Sequence, residues 1–480
     1  MAALSGLLLA LAFPPFNLFL LAFAALAPLL CAVNGSGFWK SFRRGLVCGF
    51  VFWMINMFWL AQFVTRWTSS QWLGAVPWII ACMYLSLYIG LFAGLASRAG
   101  KNKMVWLIPF VWGGVEVLRS AIPYLAFPWA LLGTSLWKLP ALMQPAWWVG
   151  VYGLSSFIAL VNLIAAMILQ GKPAKTIRPY AVAAVAVCAG SLVSYLRPQT
   201  GDTKTLAAVQ PGTDLAFPPL GVQHAELAKK IPEALAHGAD RARDLQLLPE
   251  GIASWDEHET RPHAPFPLNF NWNTVLGGQR TDGIHTYQSA FGVDADGRWR
   301  HADKTRLVIF GEYVPFRGQW SFIDSFNIPG GDLDAGTDVE CLSLGGLVVG
   351  PVICFEVLFE SVSRIQAKNG AELLAVPSND DWYSGTGAIG NLEAAAVTRA
   401  VENRMPVIRC APLGPSLIID SRGDIVAESI TGETITIFAE VKLGNSEVSP
   451  LREAWPYFSV FCLFAVLFFA RPRRSAADPH

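Results

Sequence analysis

From Met1 to Thr200 the chain holds a single acidic residue, Glu116, while seven apolar segments follow one another through that stretch. They lie near Leu4–Phe13, Leu18–Val33, Gly45–Phe63, Leu73–Ala96, Met104–Leu118, Val149–Leu169 and Ala181–Leu196, and an eighth, Tyr457–Ala470, lies near the C-terminus. A segment of about 20 apolar residues with no acid inside it is suited to lipid, because only a helix satisfies its own backbone there. Composition agrees: hydrophobic residues are 53% of the chain, charged residues 15%, and there are 18 Trp and 30 Phe. The net charge of zero hides an uneven distribution, since nearly all the acids fall after residue 200. The expectation is a polytopic α-helical membrane domain of about eight transmembrane helices. It would comprise residues 1–200 and a closing helix at 455–472, with a soluble domain at 203–450 between them.

The first segment is short for a span, and Phe13-Pro14-Pro15-Phe16 breaks it from the second. Either the two form a tight helical hairpin, or the first helix begins upstream of Met1. A signal peptide is not expected, because no charged leading region and no small-residue cleavage site precede the next helix. The basic residues orient the bundle. Lys40, Arg43 and Arg44 follow the second segment; Arg98, Lys101 and Lys103 the fourth; Lys172, Lys175 and Arg178 the sixth; Arg471, Arg473 and Arg474 the eighth. Every second connection is basic, so these ends face the cytoplasm. Parity then puts the N-terminus inside and the 203–450 domain outside, in the periplasm of a bacterium-like cell.

One outer connection is unusual. Residues 119–148 are apolar and aromatic but broken by four prolines. Such a segment is expected to lie in the membrane interface rather than span it. Glu116 and Arg119, three apart on one helical face, are placed to pair there.

After residue 203 the pattern changes to short β-rich runs separated by helical ones. Expected strands are TLAAVQ, LQLLPE, TVLGGQ, YQSAFGVD, LVVGPVICFE, ELLAVPS, PVIRCA and SLIID, with helices at Ala225–Leu235 and Asn391–Asn403. That alternation predicts a layered α/β domain of the αββα kind. No Gly-rich phosphate loop occurs, and His258, His263, His285 and His301 lack ligand spacing, so no metal and no cofactor is expected. Nucleic acid is not expected as a partner.

Within GPVICFEVLFE (350–360) an apolar strand-like run contains Cys354 and, two residues on, Glu356. Read as strand, the two share a face. A cysteine there is ordinarily a core residue. Two more polar residues end apolar runs: Glu250 closes DLQLLPE, and Lys304 sits in HADKTRL ahead of LVIFGEYVPF. A thiol needs a base and a cation near it to act as a nucleophile. The carboxylate takes the proton, and the ammonium stabilises the oxyanion that attack on a carbonyl creates.

The order Pro-Glu, then Lys with Phe-Gly-Glu-Tyr-Val-Pro-Phe, then Ile-Cys-Phe-Glu resembles the Glu–Lys–Cys signature of the nitrilase superfamily. LALAFPPFN (9–17), YLSLYIGLFAGLASR (84–98), FPWALLG (127–133), GVYGLSSFIALVN (150–162), SNDDWYSG (378–385) and TRAVENRMPVIR (398–409) resemble the apolipoprotein N-acyltransferase family. The resemblance implies Glu250 as general base, Lys304 as oxyanion-stabilising cation and Cys354 as nucleophile. It further implies Glu312 as the second glutamate that holds Lys304, the Phe355 backbone N–H as an oxyanion donor, and Glu356 as a supporting residue. The implied reaction takes an acyl chain from the sn-1 position of a phospholipid, usually phosphatidylethanolamine, onto the cysteine. It then passes that chain to the α-amino group of the diacylglyceryl-cysteine of an apolipoprotein. The implied location is the bacterial inner membrane, with residues 119–148 flooring the site.

The sequence departs from the family pattern in places. Phe355 stands where the family has tyrosine, Tyr287-Gln288-Ser289-Ala290 replaces Tyr-Asn-Ser-Ala, and Gly390-Asn391 replaces Gln-His. Lys304-Thr305-Arg306-Leu307-Val308-Ile309-Phe310 replaces Lys-X-His-Leu-Val-Pro-Phe, and the arm after VQP (209–211) lacks the expected tryptophan. Three other readings compete. A membrane-tethered amidase would pass the acyl group to water, a scaffold would have no use for the triad, and a transporter would carry ionisable residues deep in its spans. Of eight cysteines only Cys341, Cys354 and Cys410 lie in the soluble domain. That odd number leaves at least one thiol free, whether or not Cys341 and Cys410 pair.

Overall fold

The computed structural model describes residues 1–318, 331–444 and 448–469. The basic cluster Arg471, Arg473 and Arg474 lies outside the described residues. The chain divides into two compact units, Met1–Ser194 with Ser449–His480, and Tyr195–Val448.

All eight apolar segments are helical where described. The first two are Ala2–Ala12 and, after a 3-10 turn at Phe19–Phe23, Ala27–Val33. The others are Phe38–Asn56 with Phe58–Thr68, Gln71–Lys101, Ile108–Ala121, Ala146–Leu169, Ala174–Leu196 and Pro450–Phe469. Among the described residues, four helices are long and apolar enough to cross a membrane: Gln71–Lys101, Ala146–Leu169, Ala174–Leu196 and Pro450–Phe469. Phe38–Asn56 and Phe58–Thr68, bent by 48°, make a fifth if they count as one span.

Small residues let these helices approach closely. A Cβ on Gly45 would stand 2.5 Å from the Ile89 carbonyl oxygen, and one on Gly49 would stand 2.8 Å from Ser86 Cα. Glycines four apart thus clear the path for Phe38–Asn56 to lie on Gln71–Lys101, the packing that apolar helices use where burial from water gives no drive.

The 119–148 connection differs from expectation. Trp129 to Trp137 are buried inside the helical unit, and the segment forms a 3-10 turn at Leu132–Leu136 and a short helix at Pro140–Met143. Glu116 accepts hydrogen bonds from Leu132 N at 2.7 Å and Trp112 Nε1 at 3.0 Å. Arg119 donates to the carbonyls of Phe127 at 3.0 Å and Trp129 at 2.5 Å. The two charged residues therefore anchor the broken segment's backbone, and their opposite charges also attract each other. Buried backbone must find partners, and the prolines leave this segment unable to supply its own.

The other unit is two β-sheets with helices. One sheet has the order β13-β1-β2-β4-β5-β6, with β3 also beside β4. Its strands are β1 (Thr203–Gln210), β2 (Leu245–Leu247), β3 (Ala253–Asp256), β4 (Thr274–Thr281), β5 (Thr286–Val293), β6 (Trp299–Asp303) and β13 (Ile435–Lys442). The second has the order β12-β11-β10-β9-β8-β7. It is built from β7 (Leu342–Leu344), β8 (Leu347–Pro351), β9 (Leu373–Pro377), β10 (Val407–Cys410), β11 (Leu417–Ile419) and β12 (Ile425–Glu428). β1 packs against β10 and β4 against β9, so the sheets face each other. Helix Leu220–Ala236 covers β1 and β13; Glu360–Lys368 covers β8; Ala388–Asn403 covers β10. The α/β layering is the one anticipated, and β2, β9 and β1 from Leu206 onward are buried on both faces.

Candidate active site

Three chain segments leaving strand ends converge between the sheets. Glu250 follows β2, and its own N–H donates to the Ser378 carbonyl at 3.2 Å. Gly277 of β4 lies directly behind it: a Cβ there would stand 2.6 Å from Glu250 Cα, so only glycine leaves the glutamate room. Lys304 follows β6 and is completely buried. Its backbone is pinned on both sides, with Lys304 N–H donating to the Gln288 carbonyl and Gly336 N–H donating to the Lys304 carbonyl, both at 2.8 Å.

Cys354 corrects the strand reading. β8 ends at Pro351, and Cys354 begins a 3-10 turn running to Leu358, with φ +52°. Left-handed backbone is uncommon for a residue with a Cβ and is held by its surroundings. Cys354 and Glu356 therefore do not share a strand face. Glu356 Oε1 accepts from Thr305 N–H and Thr305 Oγ1 at 2.8 Å and from Arg306 N–H at 3.0 Å. Its Oε2 accepts from Ile353 N–H at 3.0 Å. This carboxylate ties the turn bearing Cys354 to the segment following Lys304.

The functional groups meet in a buried space. Lys304 Nζ lies 2.6 Å from Glu312 Oε1 and 3.4 Å from Glu250 Oε1. Glu312 Oε2 accepts from Val308 N–H at 2.8 Å, and Glu250 Oε2 accepts from Asn379 N–H at 2.9 Å. The Cys354 thiol lies close enough to Glu250, Lys304 and Glu312 for their charges to act on it. Burial pushes that thiol up to about 12, with the Glu250 charge adding to the effect and Lys304 opposing it. Burial likewise raises Glu250, only partly offset by Lys304. Burial works against charge on Lys304, but Glu250 and Glu312 together hold it well above the ordinary lysine range. The arrangement sets a neutral thiol beside a glutamate and an ammonium. Such a site suits covalent attack on a carbonyl carbon.

A family model for the apolipoprotein N-acyltransferase N-terminal domain matches residues 5–164, and one for carbon-nitrogen hydrolases matches residues 206–449. The chain is 32% identical to the apolipoprotein N-acyltransferase of Geobacter metallireducens, covering 93% of this chain and 90% of that one. It belongs to the apolipoprotein N-acyltransferase family. The family's enzymes from Allorhizobium ampelinum and Aquifex aeolicus are each 28% identical to it, over 92% and 88% of this chain and 90% and 94% of theirs. The structure of Saccharomyces cerevisiae Nit3, of the nitrilase superfamily, overlays on 53% of this chain and 93% of its own. Its 20% identity and TM-score of 0.36 are too low to add to the sequence match.

Two residues at this acyltransferase-family site escaped sequence reasoning. Asn379 supplies the backbone donor to Glu250, and Tyr383 is buried close enough to feel Cys354, Glu312, Lys304 and Glu250. Burial above all raises the Tyr383 phenol, so it is a neutral O–H. Both lie in SNDDWYSG, directly after β9, and their place at a strand end was the available signal. Phe355 is buried beside Cys354, its ring 5.7 Å from that of Phe359. Cys341 and Cys410 are free thiols here. Among the described residues no cluster of three or more His, Cys, Asp or Glu is arranged to hold a metal ion.

Proposed function

We propose that Cys354 is the acyl carrier in transfer of a phospholipid acyl chain to an apolipoprotein. The supporting observation is the meeting of Glu250, Lys304, Glu312 and Cys354 in one buried site. In the first step Glu250 takes the thiol proton as sulfur attacks the sn-1 ester carbonyl. The S–C bond forms, the developing oxyanion faces Lys304 and the Phe355 N–H, and the C–O bond breaks. Glu250 returns its proton to the leaving alkoxide, and a lysophospholipid departs. In the second step the α-amino group of the diacylglyceryl-cysteine attacks the thioester; a C–N bond forms, the C–S bond breaks, and the amine proton returns through Glu250 to the thiolate. A thioester keeps the acyl group activated, so neither step calls for ATP.

Phosphatidylethanolamine is the donor in this reading, and the enzyme sits in the bacterial inner membrane with eight crossings and residues 203–450 in the periplasm. Both substrates are lipid-anchored on that face, and the basic connections point the other way. Incubating the protein with phosphatidylethanolamine and a diacylated lipopeptide should give N-acylated peptide and lysophospholipid in equal amounts. Release of free fatty acid with no amide formed would instead identify a hydrolase.

A further inference from the structure

The loop Ser378–Gly385 carries two adjacent aspartates, both almost fully buried. Asp380 pairs with Arg409 of β10, which is itself buried. Asp381 reaches two other segments. One of its oxygens accepts from Leu215 N–H at 2.7 Å, the other from Leu413 N–H at 3.2 Å. Leu215 belongs to the arm that follows β1, residues 211–219, and Leu413 to the connection between β10 and β11. The neighbouring ring, Trp382, meets Phe217 of the arm edge to face, with centroids 5.7 Å apart. The same loop donates Asn379 N–H to Glu250.

We infer that Asp381 is a positioning residue whose carboxylate latches the 211–219 arm to the loop that holds Glu250, so that arm placement and base orientation change together. This rests on Glu250 being the base. The geometry asks for a charged acceptor: a carboxylate receives both N–H groups, whereas a protonated acid or an amide presents a donor to one of them. Burial raises Asp381 from an ordinary 3.8 to about 7; the Leu215 and Leu413 amides oppose that rise, and Asp214 of the arm adds to it. On its own loop the neighbouring charge, Asp380, is matched by Arg409. On the helix behind the arm, Lys230 donates to the Gly212 carbonyl at 2.8 Å and pairs with Glu226. The 411–416 connection has no titratable side chain. The raised value is the cost of burying the charge that the two amides receive, so the latch is read by substitution at a fixed pH above it.

Hydrogen–deuterium exchange on the solubilised full chain tests this. At about pH 8, protection of peptides holding Leu215 and Leu413 should fall about tenfold or more on Asp381→Asn, the effect of losing a hydrogen bond to a charged acceptor. The rate of Cys354 acylation should fall in the same variant, and Asp381→Glu, which keeps a carboxylate, should restore part of both. An Asn variant with wild-type protection, or one that loses protection yet acylates at the wild-type rate, would overturn the latch. Failure of Cys354 to acylate in the wild type would overturn the catalytic reading instead, and the exchange data would then judge the latch alone.

Discussion

The thiol at Cys354 is buried, neutral and beside a carboxylate, the reverse of the exposed low-pKa cysteine found in many thiol enzymes. Without substrate, its alkylation by iodoacetamide should therefore follow a pKa well above the ~8.5 of free cysteine; a titration below that value would contradict the geometry. With phospholipid present, acylation should follow the ionised fraction of Glu250. That group is raised, by burial first, so the rate should drop as pH falls through a value above the ordinary carboxylate range of about 4.3. Lys304 is held charged far above neutrality, so no lysine limb should appear on the alkaline side. An acid limb at the ordinary value would remove Glu250 from its role. Glu250→Gln and Lys304→Ala should each slow acylation, by ~10²–10⁴-fold and ~10²–10³-fold. Gly277→Ala, which forces a methyl against Glu250 Cα, should slow the same step although it alters no reacting group.

At the level of elements, the turn Cys354–Leu358 depends on Glu356, whose two oxygens serve four donors. Glu356→Gln presents an amide donor where an acceptor is needed. It should destabilise the domain by about 1.5–3 kcal/mol and slow acylation, read by thermal melting and thioester formation; unchanged values would show that the clamp is dispensable. That turn was not legible in the sequence. VICFE has the composition of a strand, and what ends the strand at Pro351 is a set of partners, Thr305 and Arg306, some fifty residues away. The apolar strands β1, β2, β4, β5, β9 and β10 were legible because their residues are buried on both sides. β6, WRHAD, was not, because its outward face is polar: Asp303 and Arg280 bond there at 2.7 Å and 3.1 Å. The burial of 128–137 was missed for a related reason. Prolines suggested a segment left at the surface, and the hydrogen bonds to Glu116 and from Arg119 that keep it inside are tertiary. Glu250, Lys304 and Cys354 stood out as polar residues ending apolar runs, whereas Asn379, also at a strand end, acts through its backbone, so its side chain gave no sign of the role.

Across the whole molecule, an apolar half nearly free of acids and an α/β half with a buried thiol fit chemistry performed on lipids. The basic connections predict that a reporter fused after Gly201 reads periplasmic and one after Arg474 reads cytoplasmic; the opposite pair would put the site on the wrong face of the membrane for its proposed substrates. The central claim, that Cys354 carries the acyl group, is open to intact-mass spectrometry of the purified chain after exposure to phosphatidylethanolamine alone. The predicted result is a gain of one acyl chain on Cys354 that hydroxylamine removes and that Cys354→Ser does not acquire. A preparation that acylates its acceptor peptide yet never shows that hydroxylamine-sensitive adduct would contradict it.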